Sequence, residues 1–278
     1  MNTWKKKFSK LFEIEKPVIG MVHLEPLPGS PGFDADGGME LIIEKALADA
    51  GALVKGGIDG IQIENQWDRP FLKPEKIGME TVASATAACT RIKMEYNIPA
   101  GVNIHLNGVN QSIAIAQASG CNWIRAFELA NAYISNAGLV EAAGPDALRY
   151  RKQIDAEDIL ILGDFHVKHG SHQITTDRSL EEQAEDVETA LADGLIITGL
   201  KSGSPPSVED VKRIKGCVSI PLFIGSGFSY ENAEILLPFL DGIIVGSALK
   251  KNGIIENSVD QERVSRFMSH IRELREKL

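Results

Sequence analysis

Short apolar runs alternate with longer amphipathic ones along the whole chain. The short runs are Pro17–His23, Gly60–Glu64, Pro99–His105, Asn122–Phe127, Ile159–Asp164, Gly194–Thr198, Ile220–Ile224 and Gly242–Val245. Each is rich in β-branched residues and follows a turn or a helix end, which marks a buried strand. The longer segments repeat at helical spacing. Met39–Lys55 carries Ile42, Ile43, Ala46, Leu47, Ala50, Leu53 and Val54 as one stripe and stops at Gly56-Gly57. Helices are also predicted over Thr81–Tyr96, Gln111–Ala118, Pro145–Ile154, Ser179–Ala192, Ser207–Ile214, Ser229–Leu237 and Gln261–Lys277. Ser-Leu-Glu-Glu at Ser179 and Ser-Val-Glu-Asp at Ser207 read as capping boxes. Strands separated by helices must pair in parallel, because each crossover has to fit between them. Eight such units predict the α/β class and a single (β/α)8 TIM barrel rather than an open sheet. No Ser/Gly linker or charge run divides the chain. Residues 1–278 therefore read as one domain: an N-terminal helix over 1–14, barrel strands within 17–250 and a closing helix over 261–278.

The long connections all follow strands: Leu24–Gly38, Asn65–Gly78, Ala126–Gly144, Phe165–Arg178 and Gly199–Pro206. Connections from helices back to strands are only a few residues. Irregular structure is thus expected on one rim, where barrels of this kind keep their chemistry. Polar residues gather at the same strand ends. His23 ends the first strand, with Glu25 beyond it. Gln62 and Glu64 alternate on the second, and Asn103 and His105 on the third. Arg125 lies on the fourth with Glu128 past its end, Asp164 and His166 close the fifth, and Thr198 closes the sixth. Each alone has an ordinary structural reading, such as a hydrogen-bonded core histidine or an arginine neutralising a carboxylate. Ionisable groups on five strands of one rim point instead to an active or binding site. Glu64 and Asp164 are its candidate acid and base, tuned by Arg125 and the histidines His23, His105 and His166.

Two further strands run into small residues. Ile220–Ile224 is followed by Gly225-Ser226-Gly227, and Gly242–Val245 by Gly246-Ser247. Two such bends after the last two strands of a barrel are where many (β/α)8 enzymes seat a phosphate on backbone N–H groups. Ser202 and Gly203, from the loop after the sixth strand, are expected to assist. The alternative is two tight turns that need glycine for packing.

Bulk properties narrow the partners. A net charge of −9 and a pI near 5.3 argue against a nucleic-acid footprint but not against a phosphorylated small molecule. The three scattered cysteines suit a reducing cytoplasm, and no apolar run is long enough to span a bilayer. His23, His105 and His166, with Glu64 or Asp164, leave a divalent metal open as a cofactor, although their spacing is not diagnostic. No lysine lies within a strand, and Lys168 and Lys201 sit in loops suited to steering an anion. Neither a Walker P-loop nor a dinucleotide fingerprint is present. Near the start, Trp4, Phe8, Leu11 and Phe12 share a helical face opposite lysines. That face either caps the barrel floor or makes a weak membrane-surface contact. A homo-oligomer is the expectation by analogy with the fold.

Taken together, PVIGMVHLEPLPGSPG, DGIQIEN, GVNIHLN, WIRAF, ILILGDFHVKH and the LFIGSGF…DGIIVGSALK end resemble the BtpA/SgcQ family over about Pro17 to Phe267. The resemblance implies a barrel of the ribulose-phosphate-binding kind. One branch of that family is tied to photosystem I biogenesis and peripheral membrane association. The other is associated with sugar-phosphotransferase operons and a nucleoside-triphosphatase label. It carries over no settled reaction. Two functions are therefore expected: an isomerase, lyase or hydrolase of a sugar or ribose phosphate, or a non-catalytic assembly factor that binds a protein or membrane surface.

Overall fold

Alternation of side chains along each short strand sorts the protein into two cores. In a computed structural model, residues 3–199 and 205–278 are described, with side chains from residue 7 onward. Ser202 and Gly203, with Lys201, lie outside the described residues. The barrel strands are β1 (Val18–His23), β2 (Gly60–Glu64), β3 (Ala100–Asn103), β4 (Trp123–Ala126), β7 (Leu160–Asp164), β8 (Gly194–Ile197), β9 (Leu222–Ile224) and β10 (Gly242–Val245). They close in the order β1-β10-β9-β8-β7-β4-β3-β2, and every pair is parallel. Ile61, Ile63, Val102, Ile124 and Ile161 face outward into the core beneath the helices. Ile19, Met21, Trp123, Leu160, Leu162, Ile196, Phe223 and Ile244 fill the barrel itself. Continuing this second parity towards the strand ends arrives at His23, Glu64, Arg125, Asp164 and Thr198. The interior is apolar at its lower levels and polar at its mouth.

The helices fall where the periodicity places them. They are α1 (Thr3–Leu11), α2 (Gly38–Gly56), α3 (Met79–Glu95), α4 (Val109–Ser119), α5 (Gly144–Gln153), α6 (Leu180–Thr189), α7 (Val208–Cys217), α8 (Ala233–Leu236) and α9 (Gln261–Arg275). Ser179 forms a complete capping box with Glu182. Ser207 caps α7 through the Asp210 N–H, but the shorter Asp210 side chain bonds to the Ser207 hydroxyl rather than to its backbone N–H. The Ser229–Leu237 segment is only one α-turn, α8, followed by a tighter turn over Leu237–Phe239, because Pro238 cannot donate to the helix ladder.

Ala126–Gly144 is not a plain loop. It holds an antiparallel hairpin, β5 (Ala132–Ser135) and β6 (Gly138–Glu141), and Gly138 takes a left-handed φ of 97° at the start of β6. Its strands lack clean alternation: Tyr133 and Val140 are buried, while the apolar Ile134 and Leu139 on the other face are exposed. With Leu106 and Val167, Tyr133 and Val140 make a small separate core, flanked by Phe71 and Phe127.

At the opposite end, α1 plugs the barrel. Phe8 meets Phe223 edge-on at 5.3 Å, and Phe12 packs 5.6 Å from Trp123. The Phe8 and Phe12 part of the apolar face is therefore occupied by the barrel floor, as the capping reading expects; the Trp4 side chain lies outside the described residues. Phe8→Ala is expected to destabilise the protein by about 2 kcal/mol through lost burial. Denaturant midpoints check this, and a change under about 0.5 kcal/mol would mean that the plug is not seated. Among the described residues, no helix is long and apolar enough to cross a membrane.

Candidate active site at the barrel mouth

Three strand ends build the centre of the mouth. Arg125, from β4, grips Asp164, from β7, with Nε to Oδ2 and Nη2 to Oδ1, both at 2.7 Å. Its third nitrogen, Nη1, donates to Glu64 of β2 at 3.4 Å. Glu64 also receives Asn103 Nδ2 at 3.3 Å and lies 3.3 Å from His105 Nε2. All of these groups are buried; Asp164 is 0% and Glu64 4% exposed. Two carboxylates around one guanidinium leave a net negative charge, which the protein tolerates because each oxygen–nitrogen contact replaces lost hydration.

Burial and neighbours set the ionisation. Burial alone would push Glu64 up, but the His105 hydrogen bond and the Arg125 charge hold it down to about 2. Burial raises Asp164 while Arg125 opposes that rise, and the two-pronged 2.7 Å contact is that of a carboxylate. Burial lowers His23 to about 4, and Lys250 adds to the effect. The unfolded imidazole binds its proton near 6.5. Between these values the unfolded chain holds more protons, so this stability is present above pH 6.5 and is lost as pH falls towards 4. The slope approaches about 1.4 kcal/mol per pH unit. His23→Gln is expected to flatten it in denaturation midpoints taken at pH 7, 5.5 and 4.5; an unchanged slope would show that His23 titrates normally.

The glycine bends open onto the same end. A Cβ on Gly225 would lie 3.1 Å from both Arg125 Nη2 and Thr198 Cγ2 and 2.5 Å from Ile196 Cγ2, so only glycine fits against the guanidinium. Gly225 spends its own N–H on the Ile197 carbonyl, which leaves it the role of making room. The N–H groups of Ser226, Gly227 and Gly246 find no backbone acceptor among the described residues. Gly227 has a φ of 79°, and Asn232 fixes the bend by donating to the Gly227 carbonyl. Lys168, from the loop after β7, reaches across to the Ser226 hydroxyl at 2.9 Å. A Cβ on Gly246 would come within 4.0 Å of His23 Cε1, and Ser247 opens a single tight turn. The two bends and the charged cluster thus share one opening.

Other residues singled out in the sequence take different places. Gln62 lies a layer deeper, its carbonyl accepting from the Trp123 indole at 2.6 Å. Glu25 pairs with Lys45 of α2 at 3.0 Å on the surface. His166 stacks on His172 at 4.1 Å beside the hairpin rather than against His105, which is held between Phe71 and Phe127. No group of three or more His, Cys, Asp or Glu side chains among the described residues is placed to hold a metal ion. Residues that pattern alone did not assign also matter. Asn65 accepts the His105 backbone N–H and donates to Asp68, which in turn holds Leu27 N–H. That chain pins the Leu24–Gly38 loop as a fixed wall. Glu128 is buried, and its only available signal was its place just past β4.

Among the described residues, His23 Nδ1, His105 Nδ1, Glu128 Oε2 and Thr198 Oγ1 are buried near these strand ends without a protein hydrogen-bond partner. Buried polar groups of this kind are ordinarily met by protein, water or ligand.

The BtpA family model matches residues 14–273. The chain belongs to the BtpA family. A protein from Archaeoglobus fulgidus, described only as uncharacterized, is 38% identical over 92% of this chain and 98% of its own length. The photosystem I biogenesis protein BtpA of Synechocystis is 36% identical over 94% of this chain and 90% of its own. Among solved structures, thiamine phosphate pyrophosphorylase from Pyrococcus furiosus superimposes with a TM-score of 0.56 at 15% identity, covering 93% of this chain and 96% of that one. A likeness at that identity speaks for the barrel fold alone.

Proposed function

We propose that this BtpA-family barrel is an enzyme that binds a small phosphorylated metabolite, a sugar or ribose phosphate, and transforms its other end by isomerisation, lyase-type cleavage or hydrolysis. The observation that carries this reading is the contact between the two halves of the mouth: Gly225 packs against the Arg125 guanidinium while Lys168 holds Ser226. A phosphoryl group on Ser226, Gly227, Gly246 and Ser247 meets backbone N–H groups that have no backbone acceptor among the described residues, and the Lys168 ammonium. Ser202 and Gly203 belong to the same proposal. The reacting end then lies over Glu64, Asn103, His105 and Arg125. The tight Arg125–Asp164 pair suits fixed stabilisation of developing negative charge better than a mobile proton. Glu64 and His105, joined by one hydrogen bond, are the pair best placed to move a proton. Thiamine phosphate pyrophosphorylase, by its name, handles a phosphorylated compound on the same architecture, which supports the reading by analogy.

A thermal-shift screen of sugar and ribose phosphates tests it. At least one is expected to stabilise the protein, and that stabilisation is expected to vanish in Gly227→Asp, which sets a carboxylate and a strained φ where the phosphate belongs. A screen without a phosphorylated hit, or a hit indifferent to Gly227→Asp, overturns the proposal.

A further inference from the structure

We propose that the loop after β7 carries a second anion site, separate from the glycine bends, which takes the carboxylate or phosphate group of a small molecule. It goes beyond the phosphorylated-substrate reading above and does not depend on it.

This loop serves two places. Its Lys168 reaches the Ser226 hydroxyl at 2.9 Å. Its His166, Ser171, His172, Thr176 and Arg178 instead line a cavity of about 650 Å³, together with Gln183 from α6. The two histidines belong to a stack of three rings: His166 lies 4.1 Å from His172, and Tyr133 of β5 lies 5.5 Å from His172 on its own stacked contact. Local bonds fix that stack. Ser171 exchanges backbone hydrogen bonds with Ile134 at 2.8 and 3.0 Å, and His172 Nε2 donates to the Val167 carbonyl at 2.8 Å. A Cβ on Gly170 would fall 2.3 Å from Tyr133 Cδ2, so the ring needs glycine there. A cavity already shaped in this way needs little ordering when a ligand arrives.

The lining chemistry selects an anion. Arg178 supplies a guanidinium, Gln183 an amide, and Ser171 and Thr176 hydroxyls, while no aspartate or glutamate lines the cavity among the described residues. Asp186 lies outside the lining and accepts from Arg178 Nη2 at 2.9 Å, which orients the planar fork. Arg178 Nε and His166 Nδ1 are buried without a protein hydrogen-bond partner, a state ordinarily relieved by water or ligand. A hollow lined by donors and free of carboxylates favours an anion over a cation, even on a chain of net charge −9. A cavity of about 550 Å³ beside α9 lacks this bias, since it sets Arg263 and Arg266 against Glu231 and Glu273. Guanidinium and imidazole groups hold carboxylate and phosphate oxygens alike through charge-assisted hydrogen bonds.

The test follows nitrogen-15-labelled histidine side chains in the full chain, with the two signals assigned by their loss in His166→Gln and His172→Gln. The probes are inorganic phosphate and succinate, each added at constant ionic strength. At least one is expected to move both signals saturably, with a dissociation constant of about 1 mM or tighter. A tighter response to phosphate marks a phosphoryl ligand, and a tighter response to succinate a carboxylate. The response is expected to persist in Gly227→Asp, which disables the glycine bend, and to weaken at least about tenfold in Arg178→Met. Thr176→Asp, at an exposed position of the lining, sets a carboxylate in the cavity without disturbing the core and is expected to weaken it by at least about tenfold as well. Histidine signals that neither probe moves overturn the proposal. A response lost in Gly227→Asp also overturns it, since the anion would then sit at the bend. So does a response that survives both Arg178→Met and Thr176→Asp, which would owe nothing to this cavity.

Discussion

Replacing Arg125 by Met is expected to lower the stability of this protein by about 3–5 kcal/mol. Arg125 holds both oxygens of Asp164 and one of Glu64, and neither carboxylate is open to water. Removing the guanidinium leaves two buried acids, Glu64 with hydrogen bonds from Asn103 and His105 and Asp164 with no side-chain hydrogen-bond partner among the described residues, so both acids must then take up protons or draw in water. Arg125→Met/Asp164→Leu is expected to recover part of the loss, because it removes one orphaned charge together with its partner and fills the space. Urea midpoints at pH 7 decide the matter. A loss below about 1 kcal/mol in the single variant would show a cluster already solvated, and the site would then lack its fixed charge.

The second large effect concerns ligand binding. Lys168→Met is expected to weaken binding of inorganic phosphate by about 10–100-fold, since a charge-assisted hydrogen bond contributes about 1.5–3 kcal/mol. Lys168 is half-buried and bonded to Ser226, and burial lowers its ammonium from the ordinary lysine value, so its charge is little screened by water. The salt dependence separates this role from general attraction. Binding to the wild type should persist at high ionic strength, as expected of a partly buried contact, whereas a surface ammonium would be screened. Equal phosphate affinity in wild type and Lys168→Met, measured by calorimetry, would remove the lysine from the site.

The barrel was readable because its evidence is periodic. Eight short apolar runs and the amphipathic segments between them each required a partner face, and closure satisfies all of them. The N-terminal helix was readable for the same reason: Phe8 and Phe12 had to be covered, and the barrel floor covers them. The hairpin over Ala132–Glu141 was not, since Ile134 and Leu139 spoil its alternation. Within the site, strand parity found Glu64, Asn103, His105, Arg125 and Asp164, because every second residue at a strand end enters the same space. Parity could not separate depth: Gln62 shares the face of Glu64 but lies beside Trp123. It could not see loops either. Glu25 leaves for Lys45, His166 joins His172, and Lys168 reaches Ser226 from a segment without a period.

Crystals grown with inorganic phosphate or ribose 5-phosphate test the meeting of the glycine bends and the charged cluster most directly. The phosphoryl group is expected within hydrogen-bond distance of the Ser226 and Gly227 N–H groups and of Lys168 Nζ, with the sugar directed towards Arg125 and Glu64. A phosphoryl group bound elsewhere, or bends that stay unliganded while the same ligand binds in solution, would contradict the account.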